Sequence, residues 1–289
     1  MNRRLRFSKW REKHMKISFI GAGSMAEAII AGLIEKNICR GEDVFVTNRE
    51  DREKLEQLER RYGIQPTYDM EGLFQGADMV IFAVKPKDAD SALLKIQPYI
   101  QEDTFFISVM AGISIAFIEE KLKAECAVAR AMPNTSASVG KSATAVSFNQ
   151  RVSDNQKELA ATVFSSIGIT AVVEETKLDA ITALSGSGPA YIYYVVEAME
   201  KSAWEIGLDS NMAKQLILQT LAGAVEMLSS SDCEAAELRK AVTSPGGTTE
   251  AGIKVLQQNN VEEAFIQCIK AAAEQSKRLG QIHESKHLV

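Results

Sequence analysis

The chain predicts an α/β amino-terminal half, built as a doubly wound and mostly parallel sheet, followed by an all-helical carboxy-terminal half. Three observations carry this. Short apolar, β-branched runs alternate with helical text as far as Val173, a glycine-rich turn joins the first strand to the first helix, and strand text stops after Glu174. The 289 residues suffice for two domains of ordinary size, and 46% hydrophobic with 25% charged residues is globular composition. No apolar stretch reaches the roughly 18 residues of a membrane span.

The elements follow in order. Residues 16–20 read as a short buried strand running into Gly21, and residues 24–36 as a helix with Met25, Ile29, Ile30 and Leu33 on one face. A second strand at 43–47 leads to a charged helix at 51–62. Further strands are expected at 79–84, 104–109, 128–132, 144–148 and 169–173, with helical text between, including a helix at 154–166. Strands and helices alternating at this spacing imply crossover units. Residues 176–289, rich in Ala, Leu, Glu, Lys and Gln, read as about six helices broken at Gly186-Ser187-Gly188-Pro189 and at Ser244-Pro245-Gly246-Gly247. An apolar face such as Ile217, Leu221, Ala224 and Leu228 needs a partner surface, and a second copy is the usual solution.

Composition excludes several chemistries. The only histidines are His14, His283 and His287, all in the terminal stretches, which argues against a Ser-His-Asp hydrolase, a histidine-dependent dehydrogenase and a histidine-bound zinc site. Cys39, Cys126, Cys233 and Cys268 are far apart and read as free thiols in a reducing cytoplasm, so no metal is expected. Residues 1–14 hold six basic side chains against Glu12, leaving −10 on the remainder of a chain whose net charge is −5. An acidic body disfavours nucleic acid. The tail reads as a basic arm, or as residues upstream of a start at Met15, with no expected part in the chemistry.

Gly21-Ala22-Gly23-Ser24-Met25-Ala26 is a Gly-x-Gly-x-x-Ala between a strand and a helix. The first glycine permits the tight turn, the second lets a pyrophosphate reach the helix amino terminus, and the small third residue allows close packing. With a strand before it and a helix after it the stretch reads as a dinucleotide-binding turn; the alternative is a plain tight turn. At the end of the second strand Thr47, Asn48 and Arg49 stand where an NAD site would carry a carboxylate, which leans to NADP(H) over NAD(H). Glu50 and Asp51 follow, and Arg49 could instead pair with a neighbour. Ala83-Val84-Lys85-Pro86 ends a long strand at the ligand-binding edge, where Lys85 could meet the cofactor ribose or only solvent; Ala111 lies at the end of the next strand. Ser244-Pro245-Gly246-Gly247-Thr248-Thr249 enters a helix whose first amides would make a carboxylate site, with the Thr249 hydroxyl able to bond a ring nitrogen. The alternative is an interhelical turn in which Ser244 or Thr248 is only the N-cap.

These residues together resemble the pyrroline-5-carboxylate reductase family. The likeness runs from Lys16 nearly to the end, through Phe19-Ile20-Gly21-Ala22-Gly23-Ser24-Met25, Ala83-Val84-Lys85-Pro86, Arg130-Ala131-Met132-Pro133-Asn134-Thr135, Leu184-Ser185-Gly186-Ser187-Gly188-Pro189-Ala190-Tyr191 and the 244–249 stretch. The resemblance implies an NADP-binding Rossmann domain at 15–175 and an all-α dimerisation and substrate-binding domain at 176–289. It implies an active site where one subunit's cofactor domain meets its partner's helical domain. It implies that Thr249 is the substrate-binding threonine and the catalytic contact, that Ser244, Gly247 and Thr248 form the carboxylate loop, and that Glu175 lies near the substrate ring. Gly21, Gly23, Ser24, Met25, Asn48, Arg49, Ala83, Val84, Lys85, Pro86 and Ala111 fall to the cofactor. Met70 stands where many members have an asparagine near the adenosine, and Ala241 where some have one beside the substrate loop. The expected reaction is reduction of 1-pyrroline-5-carboxylate to L-proline by a cytoplasmic homodimer or larger homo-oligomer. Another NADP-dependent imine or β-hydroxyacid reductase, or a non-catalytic NADP-binding regulator, are the alternatives. A β-hydroxyacid enzyme would carry a lysine early in the helix that Gly188-Pro189 opens, and Lys201 is late in it.

Overall fold

The computed structural model describes residues 15–285; the basic tail of residues 1–14 lies outside them, as do His14 and His287. The chain divides into two compact units, one running to Ser187 and taking in the chain again from Ala272, the other Gly188–Ala271.

The first unit holds β1 (Ile17–Ile20), α1 (Ser24–Glu35), β2 (Val44–Thr47), α2 (Arg52–Tyr62), β3 (Gln65–Pro66), α3 (Met70–Phe74) and β4 (Met79–Phe82). It continues through α4 (Ala89–Ile96), β5 (Phe105–Ser108), α5 (Ile115–Leu122), β6 (Ala127–Met132), β7 (Ser142–Phe148), α6 (Asp154–Ser165), β8 (Gly168–Val172) and α7 (Leu178–Ile181). The strands form one sheet in the order β3-β2-β1-β4-β5-β6-β7-β8. Pairing is parallel from β3 to β6, β7 runs antiparallel to β6, and β8 is parallel to β7. Because strand order reverses across β1 and β4, a crevice opens at their carboxyl ends.

Both faces of the sheet are covered, which is why its strands read as nearly continuous apolar runs. On one face Ile17, Phe19, Ile81 and Ile107 pack with Ile29, Ile30 and Leu33 of α1 and with Phe164 of α6. On the other, Ile20, Val80, Phe82 and Phe106 pack with Leu73 and Phe74 of α3, Leu93 and Ile96 of α4, and Ile118 of α5. The rings of Phe82 and Phe106 stack 5.3 Å apart. Each such side chain contributes roughly 1.5–3 kcal/mol. The one polar residue inside β1, Ser18, is buried and donates its hydroxyl to the Leu73 carbonyl at 2.6 Å. Burial pushes the Cys39 and Cys126 thiols up to about 12 and about 11, so both stay protonated at neutral pH.

In the second unit α8 (Gly188–Glu205), α9 (Ser210–Ser230), α10 (Ala235–Ala241) and α11 (Thr248–Gln258) lead into α12 (Val261–Ser285), whose later turns count with the first unit. Among the described residues of this stretch there is no strand. The expected apolar face of α9 divides: Ile217 is buried, Leu221 half-buried, and Ala224 and Leu228 exposed. Only Ala203, Ala213 and Ile217 are buried hydrophobics in the unit, while Tyr194, Trp204 and Ile206 are 73%, 71% and 74% exposed. Large apolar side chains left exposed in such number fit a unit that covers them against a partner surface. Among the described residues no helix is long and apolar enough to cross a membrane.

Helices α1 and α2 are tied by one carboxylate. Glu27 accepts from Lys54 Nζ at 2.6 Å, Arg61 Nη1 at 3.0 Å and the Tyr62 hydroxyl at 3.3 Å. The Lys54 hydrogen bond holds the Glu27 carboxyl below its ordinary value, against a partial desolvation that acts the other way. A carboxyl whose folded pKa is depressed adds stability above its unfolded value, and that stability disappears as pH falls through the folded one. Glu27→Gln is therefore expected to lower the melting temperature at pH 7 by about 2–4 °C, the size of shift that about 1 kcal/mol produces in a domain of this scale. The gap to the native chain should close on acidification, and thermal melts across a pH series measure it.

Candidate active site

The carboxyl edge of the first unit is organised by the turn from β1 to α1. Gly21 has φ +111°, and a Cβ there would stand 2.5 Å from the Ala83 carbonyl oxygen at the end of β4. Only glycine lets these two chain segments touch. Gly23 is the N-cap of α1, no side chain caps it among the described residues, and a Cβ built on it meets nothing within 4 Å. The first amides of α1, at exposed Ser24 and half-buried Met25, are thus donors with open space before them. The nearby acid of that helix, Glu27, is turned to Lys54 and Arg61. Open amides at a helix amino terminus beside a side-chain-free turn fit a dinucleotide pyrophosphate. Ala26, fully buried, supplies the small third residue.

The neighbouring strand ends complete this edge. At the end of β2, Asn48 donates from Nδ2 to the Asp51 carbonyl at 2.5 Å and accepts at Oδ1 from the Tyr68 hydroxyl at 3.0 Å. Arg49 is exposed and takes the neighbour pairing: it reaches Glu50 Oε1 at 2.9 Å and Asp88 Oδ1 at 4.0 Å. Beyond β4, which stops at Phe82, Ala83 and Val84 are half-buried, Lys85 is exposed, and Pro86 opens a short 3₁₀ turn. Ala111 is exposed past the end of β5, and Met70 is buried at the start of α3. The predicted cofactor residues at 21–25, 48–49, 83–86 and 111 therefore gather at one sheet edge.

Glu175 stands just beyond β8. Its Oε1 accepts from Arg130 Nη1 at 3.0 Å and from the Ile115 amide at 2.8 Å. The Arg130 side chain is only 10% exposed, so this is a largely buried ion pair. It joins the strand β6, the first turn of α5 and the exit from β8, and leaves Oε2 as the less engaged oxygen. Arg130 carried no assigned role in the sequence, since nothing in its spacing marks a partner 45 residues away. Asn134 went unassigned for the same reason: its Nδ2 donates to the Ser185 carbonyl at 3.0 Å, its Oδ1 accepts from the Ser136 amide at 3.1 Å, and its amide donates to Ser142 Oγ at 3.1 Å. Ser185 lies in a π-helical turn, Thr182–Gly186, a form found often at functional sites.

In the second unit the 244–249 loop enters α11 differently from the capped-turn reading. The N-cap is Gly247, and neither Ser244 nor Thr248 caps the helix through its side chain. The Gly247 amide bonds the Ser244 carbonyl at 3.0 Å, and Glu250 reaches back with Oε2 to accept from the Gly246 amide at 2.9 Å. Gly246 turns the chain at φ +73°. The reason is geometric: with glycine at the cap, the backbone turn is closed from within, and the Thr248 and Thr249 side chains are exposed. Their amides, with that of Glu250, are the first-turn donors a helix leaves without an intrahelical acceptor.

Residues 175–279 match the family model described as pyrroline-5-carboxylate reductase dimerisation, and residues 16–112 match that of NADP oxidoreductase, coenzyme F420-dependent. Pyrroline-5-carboxylate reductase 2 of Bacillus subtilis is 47% identical over 264 residues, covering 91% of this chain and 95% of that protein. A solved pyrroline-5-carboxylate reductase from Coxiella burnetii superposes with a TM-score of 0.85 at 37% identity, covering 92% of this chain and 99% of that one. The Plasmodium falciparum pyrroline carboxylate reductase, solved with NADP bound, gives 0.84 at 32% identity over 92% of this chain and 98% of that one. With an open glycine turn on a doubly wound sheet, a helical half matching the dimerisation model and relatives aligned over nearly their whole lengths, the chain belongs to the pyrroline-5-carboxylate reductase family.

Proposed function

We propose that this chain reduces 1-pyrroline-5-carboxylate to L-proline with NADPH, residues 15–175 holding the cofactor and residues 176–289 supplying the dimerisation surface and the substrate loop. The observation that carries the reading is the uncapped amino terminus of α11, with Thr248 and Thr249 exposed on it, in a chain of this family. Those amides, with Gly247 and the Ser244 hydroxyl, receive the substrate carboxylate. Thr249 then bonds the ring nitrogen. The first amides of α1 take the pyrophosphate, and Asn48 and Arg49 take the 2′-phosphate once Arg49 leaves Glu50. Lys85 and Ala111 flank the ribose and the nicotinamide end.

When bound, NADPH supplies a hydride from its nicotinamide C4 to the carbon of the C=N bond. The substrate contributes much of its own activation, because a protonated cyclic iminium is already an electrophile. Positioning alone can supply several kcal/mol, which fits a body with no histidine to serve as general acid. Glu175, with Oε1 held by Arg130 and Ile115, offers Oε2 to the iminium charge. The helical unit buries its exposed aromatics against a second copy in a dimer.

Thr249→Val removes one hydrogen bond and keeps the β-branched shape. Since Thr249 lies one residue past the first position of α11 and Gly247 is the cap, the melting temperature should hardly change. The kcat/KM for the cyclic imine should fall about 10- to 200-fold, and Thr249→Ser should recover most of it. Steady-state kinetics beside thermal melts decide it; kcat/KM within twofold of the native chain sinks the assignment.

Arg49→Ala should raise KM for NADPH more than for NADH, by up to roughly 10- to 100-fold for a lost charge-assisted bond. Equal effects on both cofactors would show that Arg49 does not read the 2′ position. Light scattering at micromolar concentration should find no active monomer, given the exposed Tyr194, Trp204 and Ile206.

A further inference from the structure

We propose that Tyr68 is a further specificity residue of the cofactor site, one that holds the Asn48 amide ready for a 2′-phosphate; this rests on the cofactor reading of the β2 end given above. Among the described residues Asn48 meets the Asp51 backbone carbonyl at 2.5 Å and the Tyr68 hydroxyl at 3.0 Å. A carbonyl can only accept, so the atom of the amide beside Asp51 must be the nitrogen. The amide oxygen is then aimed at Tyr68, whose hydroxyl donates its single proton. Both ends of the amide are fixed, and Nδ2 keeps a second hydrogen that is not spent on Asp51.

The sheet explains why residue 68 can do this. β3 is parallel to β2 with Val46 opposite Pro66, and the Thr67 amide donates to the Val46 carbonyl at 3.0 Å. The chain therefore leaves β3 beside the end of β2, with Tyr68 next to Asn48. Asp51, besides meeting Asn48, caps α2 by accepting from the Lys54 amide at 3.0 Å, so the carbonyl that orients Asn48 is itself anchored. Tyr68 is 47% exposed and stands in neither hydrophobic core cluster, and its hydroxyl donates to Asn48. Arg49 presents the opposite case. It is 81% exposed and bound to a neighbouring carboxylate, so it must reorganise before it can meet an anion. Asn48 is the preorganised donor of the pair, and preorganisation of a donor favours the ligand that uses it.

The test is isothermal titration of the full-length protein with adenosine 2′,5′-bisphosphate and with 5′-AMP, comparing the native chain with Tyr68→Phe and, as a control, Arg49→Ala. Tyr68→Phe removes the hydroxyl alone. The Kd for the bisphosphate should rise about 3- to 10-fold, the range of one neutral hydrogen bond. The Kd for 5′-AMP should stay within twofold, the melting temperature should be unchanged, and kcat at saturating NADPH should be retained. Weakening of both ligands alike, or a lower melting temperature with both affinities intact, would mean a structural role and overturn the proposal. If Arg49→Ala weakens the bisphosphate while Tyr68→Phe does not, the Tyr68 assignment alone falls. If neither variant discriminates the two ligands, the reading of the β2 end falls with it.

Discussion

The contact between Gly21 and the Ala83 carbonyl is the constraint on which the site depends. It brings the exit of β1 against the exit of β4 at the place where strand order reverses, leaving no volume for a side chain. That approach lets α1 start immediately beyond the sheet with its first amides uncovered, and it sets the level at which the ends of β2 and β5 meet the same crevice. The interior on both sides serves this geometry. Phe19 and Ile81 on one face, and Phe82 with Phe106 on the other, fix the two strands whose ends must touch.

The second unit solves a different problem. It presents a helix amino terminus without a capping side chain, closed from below by Ser244 and Glu250, and it leaves most of its large apolar side chains at the surface. A glycine cap costs only a few tenths of a kcal/mol relative to Ser or Asp, and it keeps the donors clear. The Arg130–Glu175 pair shows the opposite economy. A carboxylate near the end of the sheet is fixed at one oxygen by a largely buried guanidinium and a backbone amide, so its direction is set before any ligand arrives.

Much of this was legible in the sequence because it is local. Strand, glycine turn and helix follow one another between Lys16 and Lys36, and the switch to helical text after Glu174 needs no tertiary information. The loop at 244–249 stood out by composition, but which residue capped α11 did not. Ser244 and Thr248 have cap chemistry, whereas Gly247 wins because Gly246 can take a positive φ and place it there. Tyr68 and Arg130 stayed invisible for a common reason: their partners lie 20 and 45 residues away, joined through strand register that no periodicity encodes. Arg49 was visible as a charge next to Glu50, and the pairing with that neighbour was one of the two readings its position allowed.

The sparse interior of the unit Gly188–Ala271 has a consequence for how stability is to be understood. Three buried hydrophobic side chains supply only a small share of the burial that must offset the conformational entropy of that many ordered residues. If a second copy completes this surface, as proposed, folding and association become one equilibrium governed by mass action. The melting temperature then rises with protein concentration, and dilution alone acts on the helical half as a mild denaturant.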